Sequence, residues 1–436
     1  MAPSHAPQSA PPSSEPYERV AASVAAGNPD QALQQYDKSV KEKPQSRETR
    51  LLHAKLLTIA GKLDDAKEEL NALLSENPKD ADALYSLSVV YGLGGNVNDQ
   101  KDTLLRAIDA NPSHADSLAA LGDIALQAED YPAARGYFEK ALTSDPANFD
   151  ALVGEGDVLF QDKEYDKAAD SYTKAIAAQA DYPFAYTQRA RAKSALGDSE
   201  GAIQDYSRAM ELDPQYSWSY VDRGRLYLSG GKQAEAVQDF SLAIKLAPED
   251  FTAYTLRAGV YFQRRSVDEA LADYKKVVEL RPDYYYAYGP MGVLLFEKRS
   301  WGDAHAAFLQ AYANQADEHS FALLAALTLL EEGKKKEATD YLTAVMGKIP
   351  KDSWYVEVAH FLLEPNSMAA TLSSQADKET NKTIKARMSF YLWAQDSLDG
   401  RATPAMTRLL GLGDVGAASP ETQIALMELD KLGGKE

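Results

Sequence analysis

The sequence predicts an all-α array of stacked two-helix units that ends in a divergent helical segment. Three observations carry this prediction. Prolines recur on one register, small and large residues form columns in the same register, and apolar residues inside each unit keep helical spacing. The prolines are Pro44, Pro78, Pro112, Pro146, Pro214, Pro248, Pro282 and Pro350, with every spacing 34 residues or twice that. The two skipped slots hold Ala180 and Ala316. A fixed period of this length is the mark of a repeat architecture, in which each unit hides its apolar face only by stacking on the next.

The other columns have a packing meaning. Twelve residues before the proline slots stand Ala32, Ala66, Gln100, Ala134, Ala168, Ala202, Ala236, Ala270, Ala304 and Ala338. Eight before them stand Tyr36, Leu70, Leu104, Phe138, Tyr172, Tyr206, Phe240, Tyr274, Phe308 and Leu342. Twenty-four before them the residues are small: Ala54, Ser88, Gly122, Gly156, Ala190, Gly224, Ala258, Gly292 and Ala326. Within a unit, Tyr220, Gly224 and Tyr227 form one helical stripe, and Ala236, Phe240 and Ala243 form a second. A polar turn, "SGGKQ", separates them. The small residues let two antiparallel helices approach, and the large residue fills the space beside them. The proline then stops the second helix.

"DALVGEGDVLFQDKEYDKAADSYTKAIAAQA" and "WSYVDRGRLYLSGGKQAEAVQDFSLAIKLAPED" resemble the tetratricopeptide repeat. The resemblance covers about ten units in register, 13–46, 47–80, 81–114, 115–148, 149–182, 183–216, 217–250, 251–284, 285–318 and 319–352, with the array taken as 15–352. It implies a right-handed superhelical solenoid in which the first helix of each pair lines a concave face. It also implies a protein-binding scaffold.

At the ends the register fails. Residues 1–14, "MAPSHAPQSAPPSS", have too few bulky apolar groups to offset ordering entropy and read as a disordered tether or a frayed terminus. Residues 353–436 read as a degenerate repeat and capping helices. A first helix there stops at Glu364-Pro365, residues 366–384 form a loop or short helix, and "KARMSFYLWAQDSLDG" and "ATPAMTRLLGL" form a degenerate pair. Ser419 is an N-cap, Pro420 a first-turn residue and Glu421 a dipole partner for a last helix reaching about Leu432. Gly289-Pro290 lies near a helix start and reads as a tolerated first-turn proline.

Arg189 with Asp205, Arg223 with Asp239, and Arg257 with Asp273 stand sixteen residues apart, and six neighbouring repeats lack both members. Their co-occurrence predicts three structural ion pairs, each worth roughly 0.2–1 kcal/mol if exposed.

The packing columns leave one face of each first helix, about 100° from the core stripe, for other work. It begins with Asp82, Asp116, Asp123, Asp150, Asp157 and Phe160, changes to Phe184 and Arg191, then Trp218 and Arg225, and continues with Thr252, Phe262, Tyr286 and Phe296. The groove is thus expected to be acidic early and aromatic, with two arginines, in its centre. Exposed aromatics together with Arg are usual interface anchors, so this face is expected to hold an extended or helical segment whose carboxylates meet Arg191 and Arg225. The alternative is that the acids serve helix dipoles and the aromatics pack on the adjacent repeat.

Composition sets the remaining bounds. With 46 basic and 65 acidic side chains the formal charge is −19, which argues against nucleic acid and anionic membrane surfaces. Cysteine is absent, so disulfides, thiolate zinc sites and a cysteine nucleophile are excluded. The longest uncharged apolar run, Phe321 to Leu330, is shorter than the roughly 20 residues a membrane span needs. His5, His53, His114, His305, His319 and His360 show no metal-ligand spacing, and Asp317-Glu318-His319 reads as a solvated helix start. No nucleotide loop or nucleophile elbow occurs. The reading is a non-catalytic adaptor without metal or cofactor that binds protein or peptide. An alternative, by resemblance to bacterial repeat lipoproteins, is an envelope protein of the periplasm or outer membrane. It would act in adhesion or complex assembly, with its export and lipidation signal outside the chain as given; against it stands a cytoplasmic adaptor. Self-association through an uncapped solenoid end is a third reading.

Overall fold

The computed structural model describes Val20, Ser23 and residues 27–39, 46–412 and 419–433. The tether at 1–14 and Pro44 lie outside the described residues. The chain divides into two compact units, residues 1–214 and 215–436. Among the described residues all regular structure is helical.

The first unit holds Pro29–Ser39 and five helical hairpins: Arg47–Ile59 with Leu63–Glu76, Ala81–Leu93 with Val97–Ala110, Ala115–Gln127 with Tyr131–Ser144, Phe149–Gln161 with Tyr165–Ala178, and Pro183–Ala195 with Ser199–Leu212. Local signals set the boundaries. Asp80 and Asn148 cap first helices by accepting from the amides of Ala83 and Ala151, at 3.2 and 3.0 Å. The residues before Pro78, Pro112, Pro146 and Pro214 are extended, as at Asn111 (φ −138°, ψ 96°), because a following proline disfavours the helical region. Gln179 takes the same conformation (φ −143°, ψ 94°) although Ala180 follows it. Packing of the next unit therefore holds this bend where the proline is missing.

The small and large columns meet inside the hairpins. Ala54, Gly122, Gly156 and Ala190 are buried, as are Leu70, Phe138, Tyr172 and Tyr206. A Cβ on Gly122 would fall 2.4 Å from the Phe138 ring, and one on Gly154 of the next repeat 2.2 Å from it. Phe138 is thus clamped between two glycines of successive repeats. Gln100, the exception in the alanine column, lies against Gly92, where a Cβ would meet its amide nitrogen at 2.8 Å.

One column was not legible beforehand. The turn inside each hairpin holds a residue in the left-handed region on the same 34-residue register: Gly27, Gly61, Gly95, Glu129, Lys163, Gly197, Gly231, Arg265, Arg299 and Gly333. Four of these carry side chains, with φ between 57° and 61°.

The second unit begins with the hairpins Ser217–Ser229 with Gln233–Leu246 and Phe251–Gln263 with Val267–Leu280. The next first helix is delayed. A 3-10 turn at Tyr285–Ala287 precedes Tyr288–Glu297, and Pro290, which has no amide to donate, falls in the first α turn. Trp301–Asn314 completes that hairpin, and Ser320–Glu331 pairs with Lys335–Met346.

Five helices follow: Trp354–Leu363, Pro365–Lys378, Lys382–Leu398, Ala402–Leu410 and Pro420–Gly433. The loop or short helix expected over 366–384 is instead a fourteen-residue helix opened by Pro365. Glu364 (φ −131°, ψ 66°) breaks one helix and heads the next, so the proline starts structure rather than ending it. The last helix packs on Tyr288–Glu297 and Ser320–Glu331, two first helices of the array, and on Lys382–Leu398 and Ala402–Leu410. Ile424, Ala425 and Met427 share one buried cluster with Val293, Phe296 and Leu327. Every residue from Ser320 to Leu329 is buried, because that helix is covered on all sides.

Candidate functional site

In the first unit, the acidic residues fall into two classes. Asp82 lies 2.6 Å from Arg47 and 3.2 Å from His114, and the bond to Arg47 holds its carboxyl below the usual range. Asp116 accepts from the Asn148 side-chain amide at 2.8 Å. These two acids bridge successive repeats. Asp123 and Asp150 have no ion-pair or hydrogen-bond partner of their side chains among the described residues. Burial pushes Asp123 up to about 7, and neighbouring Asp150 and Asp157 add to the shift. Burial also raises Asp150, with Asp116 contributing. Asp157 is raised by burial too, against the opposing hydrogen bonds from the Tyr172 hydroxyl (2.6 Å) and the Gln188 amide (2.7 Å).

The arginine expected on this face is exposed. Arg191 donates to Gln188 Oε1 at 2.8 Å and lies 5.0 Å from the half-buried Phe160 ring. Phe184 remains exposed beside Tyr182, the ring centroids 6.5 Å apart.

In the second unit, Trp218 and Tyr286 keep 41% and 59% of their surface open, unusually much for rings of this size. Arg225 is exposed and pairs with Asp222 of its own helix at 3.0 Å. Phe262 is half-buried against the core. Phe296, expected on the open face, is buried at 3% exposure. Trp301 packs on its ring at 4.9 Å, and the terminal helix packs on the helix that carries it. Glu421, expected to serve a helix dipole, is fully enclosed and takes bonds from Ser320 and Tyr391. Glu318 and His319 do not form a solvated helix start. Glu318 accepts from Tyr355 and Arg387 at 2.9 and 2.7 Å, and His319 is buried between Tyr312 and Tyr355.

Arg189 Nη2 stands 2.7 Å from Asp205, and Arg223 and Arg257 stand 2.8 Å from Asp239 and Asp273. All three aspartates are buried, so these are not exposed pairs. Each guanidinium engages both carboxylate oxygens. Arg189 and Arg257 also reach back to Thr173 and Ser241 of the preceding second helices, at 3.1 and 2.8 Å. The same sixteen-residue link carries other chemistry elsewhere, His53 with Glu69 and Ser171 with Glu155.

No group of three or more His, Cys, Asp or Glu able to hold a metal occurs among the described residues. No helix among them is long and apolar enough to cross a membrane.

A tetratricopeptide repeat profile matches residues 101–149, 119–183, 187–251, 221–285 and 290–353, together more than half of the chain, and a second matches 23–90. The chain belongs to the tetratricopeptide repeat family. Proteins of this family are protein-interaction scaffolds in general, and their fold is typically non-catalytic. No curated protein matches the chain significantly. Among solved structures it is similar to PilF of Pseudomonas aeruginosa (21% identity, 48% of this chain and 95% of that one, TM-score 0.43). It is also similar to YrrB, described as a TPR protein with an unusual peptide-binding site (21% identity, 43% and 96%, TM-score 0.38). A third is a tetratricopeptide repeat protein of Parabacteroides merdae (20% identity, 57% and 97%, TM-score 0.39).

Proposed function

We propose that this tetratricopeptide repeat protein is a scaffold that holds partner polypeptides on the spare face of its first helices. One observation carries the reading. The chain's own terminal helix packs on Tyr288–Glu297 and Ser320–Glu331, and its Ile424, Ala425 and Met427 share one buried cluster with Val293, Phe296 and Leu327 of that face. A surface that takes one helix by burying apolar side chains is suited in kind to taking another. Upstream in the same unit the face is uncovered, with Trp218, Arg225 and Tyr286 exposed. Aromatic and arginine side chains supply large contact area and bidentate bonds, the usual makings of interface anchors.

Site-specific photo-crosslinking tests the reading. A crosslinking residue in place of Trp218 should trap polypeptide, and one in place of Lys275, on the exposed side of a second helix, should not. Equal yields from both positions would reject it.

A further inference from the structure

We propose that the first unit carries a docking surface for a basic amphipathic helix of a partner protein, seated across the first helices from Arg47–Ile59 to Phe149–Gln161. The proposal rests on the first-helix face being polypeptide-binding and adds where in this unit the partner sits and what chemistry it has. Lys55, Thr58, Ile59, Tyr85, Ser86 and Val89 enclose a notch of about 250 Å3 between Arg47–Ile59 and Ala81–Leu93. Its wall is apolar, formed by Ile59, 55% exposed, with the Tyr85 ring and Val89. An aliphatic side chain of leucine or methionine size fits such a notch.

Tyr85 joins this notch to the acids. Burial pushes its hydroxyl up to about 12, and the carboxylates of Asp116, Asp150 and Asp123 add to that shift. Asp116 is satisfied by Asn148, whereas Asp123 and Asp150 lack a side-chain partner among the described residues. The half-buried Asp123 and the exposed Asp150, each disfavoured by a neighbouring carboxylate, are complementary to a cation.

The second unit shows why the occupant is a helix. On the 34-residue register Lys55 and Val89 correspond to Val293 and Leu327, and Thr58 to Phe296. Those three are buried in the cluster that includes Ile424, Ala425 and Met427 of Pro420–Gly433. There the apolar Ile424, Ala425 and Met427 enter the core while Lys431 bonds the Glu297 carbonyl at 3.2 Å. In the first unit Lys55 is exposed and Val89 half-buried while Thr58 is buried, and the next residues in the column of Lys55 and Val89 are Asp123 and Asp157. Packed helices lie about 8–10 Å apart. A helix rising about 5.4 Å per turn would therefore set an apolar anchor in the notch and a Lys or Arg near Asp123 about seven residues away.

The experiment uses the full chain and fluorescence anisotropy with three labelled synthetic peptides. They are a Leu/Lys amphipathic helix, its Leu/Glu isostere, and a scramble of the basic peptide without an apolar face. The basic helix should bind at least about ten-fold more tightly than either control. The double variant Asp123→Asn/Asp150→Asn and, separately, Ile59→Ser should each weaken it about five-fold or more. Ile59 is exposed, and Asn keeps the shape of Asp, so circular dichroism should show both variants folded. Equal binding of the scramble, or variants that bind like the wild type, overturns the proposal. Preference for the acidic helix, abolished by Arg191→Ala or Trp218→Ala, overturns it while leaving the polypeptide-binding reading intact. No binding by any peptide overturns it too, and the crosslinking yield at position 218 then decides the broader reading separately.

Discussion

Glu421 is completely enclosed, and its Oε2 lies 3.2 Å from Nε of Arg387. The pair ties the terminal helix to Lys382–Leu398, and Ser320 bonds the same carboxylate from the array. Glu421→Ala leaves Arg387 with Glu318 as its carboxylate partner but strips the buried Ser320 and Tyr391 hydroxyls of their acceptor, so it should cost about 1–3 kcal/mol of the terminal helix's attachment. Hydrogen exchange should speed up in Pro420–Gly433 and in Ser320–Glu331, with little change in the first unit. Unchanged protection at Ser320–Glu331 would show that the pair does not hold this helix in place.

Asp123 gives a pH signature. Its folded-state value, about 7, lies above the ordinary carboxylate range. The folded state then binds more protons than the unfolded one between roughly pH 4 and 7, so stability falls as pH rises through that window. The groups facing it are Asp150, Asp157 and the Tyr85 hydroxyl. Asp123→Asn should change the melting temperature little at pH 4 and raise it progressively up to pH 8. A melting temperature that shifts equally at both pH values would contradict this account.

The clamp on Phe138 separates two kinds of glycine. Gly154→Ala places a methyl 2.2 Å from the ring, whereas Gly136→Ala meets nothing within 4 Å. The first should destabilise by about 1–3 kcal/mol through overpacking. The second, inside Tyr131–Ser144, should stabilise by up to about 1 kcal/mol through helix propensity. Urea unfolding measures both, and the same sign for the two would refute the packing account.

Glu129 and Lys163 hold left-handed turn positions that other repeats give to glycine. An L side chain there costs roughly 1–2 kcal/mol, partly returned as lower unfolded-state entropy. Glu129→Gly and Lys163→Gly should each raise stability by up to about 1 kcal/mol, and Gly61→Ala should lower it. Calorimetric melting of the three variants distinguishes these signs.

Much of the fold was legible because it is local and repeated. Each hairpin's small residue, large residue and helix stop recur at fixed offsets, so ten imperfect copies reinforce one another. The Arg189–Asp205 separation could be inferred in the same way, since both residues belong to one hairpin. The left-handed turn column was harder to see because Glu129, Lys163, Arg265 and Arg299 replace its glycines, and backbone conformation there is imposed by the helices on either side.

By itself the amino-acid order determined an all-helical repeat with its register, its core columns, and a spare face rich in acids and rings. Tertiary structure alone decided which parts of that face stay open. Phe296 has the same ring as Phe184, yet one is buried and the other exposed: the terminal helix returns over a hundred residues of chain to pack on the helix that carries Phe296, and no such segment packs on that of Phe184 among the described residues. Likewise Asp116 and Asp123 read alike in sequence, and only folding gives the first a partner in Asn148 and leaves the second among other carboxylates. Periodicity reports contacts between neighbouring repeats. Contacts made by a segment outside the period leave no trace in it.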